Sequence, residues 1–270
     1  MEQFRESVGL PSSLGESHRG TTTEAQAPPR GDLLSGPPAY QARTPWGAGA
    51  ALAVTIAIVV ASTLGAMLLL ELFPARQVPG PGAEIRGLGL IQILAVALTL
   101  GACFLRHGRL RDTLALHPVV GGWRSYLLAI LAMACLQLLI SGVQFAFVKN
   151  DMLADLRPFA GYVRGPDSLL AAVVLGLGAP FSEELLFRGF LLGALAQTRL
   201  GFWGAAVISA ALWTTLHYYT WIGLIEVFVI GLFLSWLLWR TGSLRVTIFC
   251  HALYNSMIVL ALRFMDLPAA

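Results

Sequence analysis

The sequence is poor in charge and in lysine. Only 12% of its 270 residues are charged, whereas a soluble globular domain carries about 25%. Eighteen residues are basic, yet Lys149 is the one lysine among them. This composition excludes an ordinary soluble domain. The net charge of +3 is explained by arginines in the predicted loops, so we do not expect nucleic acid as a partner.

Cysteine motifs and a secretory signal are also missing. Cys103, Cys135 and Cys250 all lie inside apolar runs, and they show no CxxC or other metal-type spacing. We therefore interpret all three as small packing residues. The first residues lack the basic-then-apolar pattern of a secretory signal. Residues 1–45 are instead rich in Ser, Gly, Pro and Thr with few large hydrophobic side chains, which predicts a disordered tail.

Long apolar runs are what the sequence has in abundance. Hydrophobic residues make up 56% of the chain, and several runs approach or exceed the roughly 18 residues that a transmembrane helix needs. We predict an all-α fold, a polytopic transmembrane helical bundle with about seven spans in a range of roughly six to eight. The predicted spans cover residues 46–73, 86–105, 123–148, 168–198, 201–218, 221–239 and 245–263.

The loop after the second span sets the predicted orientation. It is the most basic loop, with arginines at positions 106, 109, 111 and 124. Loops rich in arginine stay on the cytoplasmic side of a membrane. Two spans precede this loop, so the tail of residues 1–45 is also predicted to be cytoplasmic, and seven spans place the C-terminus outside.

The C-terminal half, residues 168–263, differs from the N-terminal helices of residues 46–150 because its apolar spans contain clustered ionisable groups. Glu183, Glu184 and Arg188 lie within six residues of one another, and each such group at the bilayer centre costs about 2.5–3.5 kcal/mol on insertion scales. Residues four apart share a helical face, so Glu184 and Arg188 are predicted to pair. Glu183 points about 100° away and is left as the working carboxylate.

Three further polar residues follow on later spans: His217, His251 and Asn255. Each group also has a structural explanation, since an ion pair can hold helices in register, aromatic residues near His217 suit a membrane interface, and His–Asn pairs can join helices. Together the groups favour a functional site. Glu226, another carboxylate within a span, has no motif around it.

These side chains suit hydrolysis of an amide. A buried carboxylate can act as a general base toward water, one histidine can relay the proton, and a second histidine with an asparagine can donate hydrogen bonds to an oxyanion. Such a mechanism needs no cofactor. The alternative is a zinc protease in which His217, His251 and Glu183 hold the metal and water fills the fourth position, although the H-E-x-x-H motif is absent.

Three motifs occur in this order on successive helices: Glu183-Glu184-x-x-x-Arg188, Trp213-x-x-x-His217 and His251-x-x-x-Asn255. Across about residues 168–260 this pattern resembles the CPBP family, which comprises the type II CAAX prenyl endopeptidases and the Abi-type or bacteriocin-processing intramembrane proteases of bacteria. Residues 168–263 then form a CPBP-like catalytic core. Trp213 stands where the family usually has phenylalanine, and we expect it only to reshape the pocket wall.

The resemblance implies an intramembrane glutamic endopeptidase whose partners are membrane lipid and a peptide or membrane-protein substrate. The implied roles are water activation by Glu183 and His217, an oxyanion hole of His251 and Asn255, and support from Glu184 and Arg188. Metal dependence is an alternative for the family. Eukaryotic members act on prenylated C-termini, whereas bacterial members are tied to peptide maturation, surface-protein sorting or signalling. The scarcity of lysine and the tail composition favour a bacterial protein of the inner, cytoplasmic membrane.

Two other function classes stay open, a non-enzymatic immunity or scaffold protein and a transporter, and the lack of an internal repeat counts against the transporter. The predicted spans also leave a geometric conflict. They place His217 near the outer end of its span and His251 about two turns from the inner end, although both must meet Glu183. We therefore expect tilted or broken helices and a water-accessible cavity around Glu183. The residues expected to kink or divide the fourth span are Gly176, Gly178 and Pro180.

Overall fold

The computed structural model describes residues 33–73, 80–147 and 154–265. In these ranges the chain forms nine helices and no β-strand. The helices are α1 (Ala48–Leu72), α2 (Pro81–Leu105), α3 (Leu110–Thr113), α4 (Trp123–Phe147), α5 (Arg157–Arg164), α6 (Ser168–Leu195), α7 (Gly201–Thr214), α8 (Trp221–Thr241) and α9 (Leu244–Phe264).

Six of the described helices, namely α1, α2, α4, α6, α8 and α9, are long and apolar enough to cross a membrane. The shortest of them have 21 residues, which at about 1.5 Å per residue cover the roughly 30 Å hydrocarbon core of a bilayer. The predicted fold class, an all-α transmembrane bundle, is confirmed. The predicted bounds of these six spans also agree closely, because hydrophobicity alone determines them.

The predicted fifth span, residues 201–218, is wrong at its C-terminal end. α7 stops at Thr214, and its 14 residues cover only about 21 Å. The hydroxyl of Thr215 donates to the carbonyl of Leu212 at 2.7 Å, which satisfies an acceptor that the helix end leaves without a partner. The hydroxyl of Thr214 donates back to the carbonyl of Ala210 at 2.9 Å. Residues 215–220 then lead irregularly to α8.

Loop contacts identify the two ends of the bundle. At the end that carries the arginine-rich loop between α2 and α4, the backbone N–H of Leu244 donates to Ala115 at 2.8 Å. At the opposite end, Asp155 accepts both the backbone N–H and the hydroxyl of Thr220, each at 2.8 Å. α6 runs from the second end to the first, so α7 and residues 215–220 together carry the chain back.

α5 lies across the second end and fastens two long helices. The hydroxyl of Tyr162 donates to Glu84 at the start of α2. That hydrogen bond, together with burial and the carboxylate charge, raises the pKa of Tyr162 to about 12, so the donor keeps its proton at neutral pH. Arg164 donates to the carbonyls of Leu262, at 2.8 Å, and Met265 at the end of α9.

Residues 33–45 differ from the disordered tail that composition predicts for residues 1–45. Leu33 is only 1% exposed and belongs to the main hydrophobic core. Arg240, near the end of α8, donates to the backbone carbonyls of Leu33, Ser35 and Gly36 at 2.7–3.0 Å. The backbone N–H of Tyr40 also donates to the carbonyl of Trp239 at 3.2 Å. Such contacts with distant residues order this part, and the average composition of a polar segment does not reveal them. Residues 1–32 lie outside the described residues.

α6 is one continuous helix rather than the broken helix that its glycines and proline predict. Turns of α-helix alternate with π-helical stretches at Val174–Gly178 and Glu184–Leu191. Pro180 has no N–H for the carbonyl of Gly176, and the hydroxyl of Ser256 on α9 approaches that carbonyl at 3.4 Å instead. The irregularity thus widens the helix and brings α9 against it.

Glu226 on α8 connects neighbouring helices through hydrogen bonds. Its carboxylate accepts hydrogen bonds from Gln137 and Gln144 of α4, at 3.1 and 2.7 Å, and from the hydroxyl of Tyr254 of α9, at 3.1 Å. These bonds join three membrane-spanning helices, which is a common use of polar side chains inside a bundle.

Candidate active site

Glu183 lies on α6 at the junction of an α-helical turn and the second π-helical stretch. Its side chain is 26% exposed, whereas that of Glu184 is fully buried. The Oε2 atom of Glu183 accepts the indole N–H of Trp213 at 2.7 Å, and Nε2 of His251 lies 4.0 Å from the same oxygen. No described residue donates to Oε1, so one carboxylate oxygen is anchored while the other is available.

Glu184 and Arg188 form the ion pair that their spacing predicts. Nη1 of Arg188 donates to Oε1 of Glu184 at 3.0 Å, and both side chains are fully buried. Nδ1 of His251 lies 3.0 Å from the same Oε1. Because a carboxylate oxygen can only accept, we assign the donated proton to Nδ1 of His251. Glu184 therefore orients the imidazole through one ring nitrogen and directs the other toward Glu183.

Trp213, in the last turn of α7, is in contact with most of the site. Its ring centroid lies 4.9 Å from that of His217 and 5.5 Å from that of His251, both edge to face. The guanidinium carbon of Arg188 lies 4.1 Å from the indole centroid. The sequence predicts Trp213 only as pocket wall and misses its hydrogen bond to Glu183. The sequence did contain a signal for this bond, because the indole of Trp213 has an N–H donor and the phenylalanine usual at this position has none.

The position of His217 follows from the short length of α7, which ends three residues before it, at Thr214. Its Nδ1 lies 3.1 Å from the carbonyl oxygen of Trp213, which can only accept, so Nδ1 carries the proton and Nε2 is the acceptor of the neutral ring. The ring also contacts Tyr219, centroid to centroid, at 5.3 Å. Because α7 ends at Thr214, the ring of His217 folds back against Trp213, the residue that donates to Glu183. This short helix resolves the conflict between the predicted depths of His217 and Glu183.

Asn255 lies one turn from His251 on α9 and faces α6. Its Nδ2 donates to the carbonyl of Leu175 in the first π-helical stretch at 3.1 Å. In the described part of the chain it forms no hydrogen bond with Glu183 or His217. Its amide therefore joins two helices and keeps one N–H for another acceptor. The structure thus brings together five of the six predicted residues, with His217 linked through Trp213, and attaches Asn255 to the neighbouring backbone.

The zinc alternative would need Glu183, His217 and His251 to converge on one metal ion. Each of the three alternative ligands makes one hydrogen bond inside the site, Glu183 with Trp213, His251 with Glu184 and His217 with the α7 backbone. Oε1 of Glu183 and Nε2 of both histidines take no part in these bonds. Among the described residues, no group of three His, Cys, Asp or Glu side chains could hold a metal ion. No step of the mechanism below is therefore assigned to a metal.

Comparisons with known proteins bear on the family of this region. No curated protein and no solved structure matches the chain. A family comparison finds one match, which begins before α6 and ends within α9 and so contains every predicted site residue. Together with the six long apolar helices, this match supports an integral, multi-pass membrane protein. Over residues 165–257 the chain matches the family described as type II CAAX prenyl endopeptidase Rce1-like.

Proposed function

We propose that the protein is an intramembrane endopeptidase that hydrolyses a peptide bond with water activated by Glu183. The observation that carries the proposal is the state of this carboxylate, which is partly exposed within a transmembrane helix, anchored at Oε2 and open at Oε1. A general base needs such an accessible oxygen together with a fixed orientation. Glu184, fully buried and shared by Arg188 and His251, cannot reach water and serves as support.

In the proposed reaction, Oε1 of Glu183 takes a proton from water while the water oxygen attacks the carbonyl carbon of the scissile amide. A new C–O bond forms, and the electron pair of the C=O bond moves to oxygen to give an oxyanion. The oxyanion then collapses and the C–N bond breaks. Glu183 returns its proton to the departing nitrogen, so the immediate products are a carboxylic acid and an amine, and the acid's proton then passes to the amine to give a carboxylate and an ammonium group. His217, with Nε2 as an acceptor, helps to hold the attacking water.

His251 and Asn255 stabilise the oxyanion in this proposal. The Nδ1 proton of His251 is committed to Glu184, so the ring donates to an oxyanion only through a protonated Nε2. Nε2 of the ring lies 4.0 Å from Oε2 of Glu183 and so faces the reacting carboxylate. Asn255 would contribute its second amide N–H.

The substrate we infer is a peptide or membrane protein that presents its scissile bond at bilayer depth, because Glu183 lies within α6 rather than in a terminal loop. The arginine-rich end of the bundle belongs on the cytoplasmic side, which places the N-terminal segment in the cytoplasm. A bacterial cytoplasmic membrane suits the arginine-rich, lysine-poor composition of the chain.

The test compares purified wild type with Glu183→Gln, and uses Glu226→Gln as a matched control. Both variants replace an intramembrane carboxylate by its amide, but Glu226 hydrogen-bonds to none of the six predicted site residues. Each folded protein is incubated with membranes of the source organism, and new peptide termini are mapped by mass spectrometry with and without a chelator.

We expect new termini with wild type and Glu226→Gln, none with Glu183→Gln, and no effect of the chelator. Termini that vanish with the chelator would replace the proposal by the zinc alternative. Equal termini with wild type and Glu183→Gln would show that Glu183 does not perform the chemistry. An absence of termini with all folded proteins would favour the immunity or scaffold interpretation.

A further inference from the structure

Trp213 makes a contact for which packing alone gives no reason. The residue is 2% exposed, and a buried indole usually finds an acceptor for its N–H. Here the acceptor is not a backbone carbonyl but Oε2 of Glu183, at 2.7 Å. A hydrogen bond to a charged acceptor is shorter and about twice as strong as a neutral one. The bond therefore constrains the one carboxylate that the proposed reaction depends on.

The indole itself is held on several sides. The guanidinium of Arg188 lies over one part of the ring system at 4.1 Å. The Nε and Nη2 atoms of that guanidinium are buried without hydrogen-bond partners. The cation–π attraction to the indole face offsets part of the cost of burying them. On α8, Gly231 leaves room for the ring, since a Cβ there would lie 3.2 Å from Cε3 of Trp213 and 3.0 Å from Nη2 of Arg188. A ring with so little freedom fixes the direction of its N–H.

We propose that Trp213 is a positioning residue, which holds Glu183 by Oε2 so that Oε1 faces the attacking water. This inference rests on the proposed function of Glu183 and names a residue that the sequence motifs assign to the pocket wall. Without the indole N–H, the carboxylate can rotate about its last torsion, a broad and weakly restricted rotation. The carboxylate plane then samples orientations in which neither oxygen faces the water, so fewer enzyme molecules are ready to react.

The first experiment compares Trp213→Phe, which keeps an aromatic ring and removes the donor, with Trp46→Phe. Trp46 is a matched control because it is also buried, at 7% exposure, and its indole N–H donates to the backbone carbonyl of Ala102 at 3.2 Å. The substrate is a quenched fluorescent peptide that spans a terminus mapped in the membrane digest. Folded protein is quantified by size-exclusion chromatography and thermal unfolding.

Trp213→Phe is expected to lower kcat by about 10- to 100-fold, as misplacement of a reacting group does, with KM within about twofold of wild type. Trp46→Phe is expected to lower thermal stability and leave kcat per folded molecule unchanged. A purely structural Trp213 would behave like Trp46, with a stability loss and a normal kcat, and that outcome overturns the inference.

The second experiment observes the hydrogen bond without activity. Of the seven tryptophans, the indole ¹⁵N–¹H resonance of Trp213 is the one missing from the Trp213→Phe spectrum in micelles. Glu183→Gln replaces the charged acceptor by a neutral one, so this resonance should move upfield while that of Trp46 stays in place. An unmoved Trp213 resonance overturns the inference whatever the kinetics show.

The two experiments separate failure of this inference from failure of the proposed function. If folded wild type hydrolyses nothing, the proposed function fails and the positioning role fails with it, even where the resonance of Trp213 moves. If wild type and Trp213→Phe hydrolyse the peptide at equal rates, the protease stands and only the positioning role is overturned.

Discussion

The buried Glu184–Arg188 pair gives a direct prediction about stability. In Arg188→Met a flexible apolar chain replaces the guanidinium, which leaves the fully buried carboxylate of Glu184 with His251 as its one remaining hydrogen-bond partner among the described residues. Removal of one partner from a buried pair costs about 3–5 kcal/mol, because a charge is left uncompensated at low dielectric. The variant also loses the cation–π contact with Trp213, at 4.1 Å, which adds to the loss.

Arg86→Met is the matched control for this substitution. Arg86 pairs with Asp167 at 3.1 Å, a distance close to that of the buried pair, but the two side chains are each 36% exposed. Solvent screens such a pair, so its loss is expected to cost only about 0–1 kcal/mol. Each variant loses one ion pair, so we predict that burial of the carboxylate causes the difference in free energy of unfolding between Arg188→Met and Arg86→Met.

The assay is reversible unfolding of the purified proteins in mixed micelles, with Glu184→Gln and the double variant included to close a cycle. Because the loss in Arg188→Met arises from an unpaired charge, neutralising that charge in the double variant should restore about 1–3 kcal/mol. If the losses of the two single variants simply add, or if Arg86→Met costs as much as Arg188→Met, the reasoning from buried charge is refuted.

Two further predictions concern regions outside the site. Glu226→Leu removes three interhelical hydrogen bonds, each worth about 0.6 kcal/mol on average in a membrane protein, so the free energy of unfolding should fall by about 2 kcal/mol while kcat per folded molecule stays normal; a fall in kcat at unchanged stability would contradict the structural role. Arg240→Ala removes the donors that hold the carbonyls of Leu33, Ser35 and Gly36, so limited proteolysis should cut between residues 33 and 45 faster than in wild type, and an unchanged rate would show that the remaining contacts of the segment are sufficient to hold it.

The sequence was sufficient for the long spans and for the ion pair. Hydrophobicity over about 20 residues is a strong signal, and helical spacing alone places Arg188 against Glu184. Both are local properties, which a single sequence records directly. The family match over residues 165–257 agrees with the motifs for the same reason, since each motif lies within one helix or at its end.

Features that depend on contacts between distant segments could not be predicted in this way. The end of α7 follows from hydroxyls of Thr214 and Thr215 that turn back onto the helix, whereas the apolar pattern continues past them. The bond from Trp213 to Glu183 depends on a rotamer and on the crossing of two helices. The order of residues 33–45 depends on Arg240, about 200 positions away in the sequence.

The short length of α7 has a consequence for how the protein enters its membrane. Its 14 residues are fewer than the roughly 17–25 that let a segment insert as an independent span. α6 and α8 on either side are long enough to insert as spans. We therefore expect α7 to be held in the membrane only after both neighbouring helices have inserted. A substitution that lengthened α7 into a full span would ease insertion, yet it would carry His217 away from Glu183.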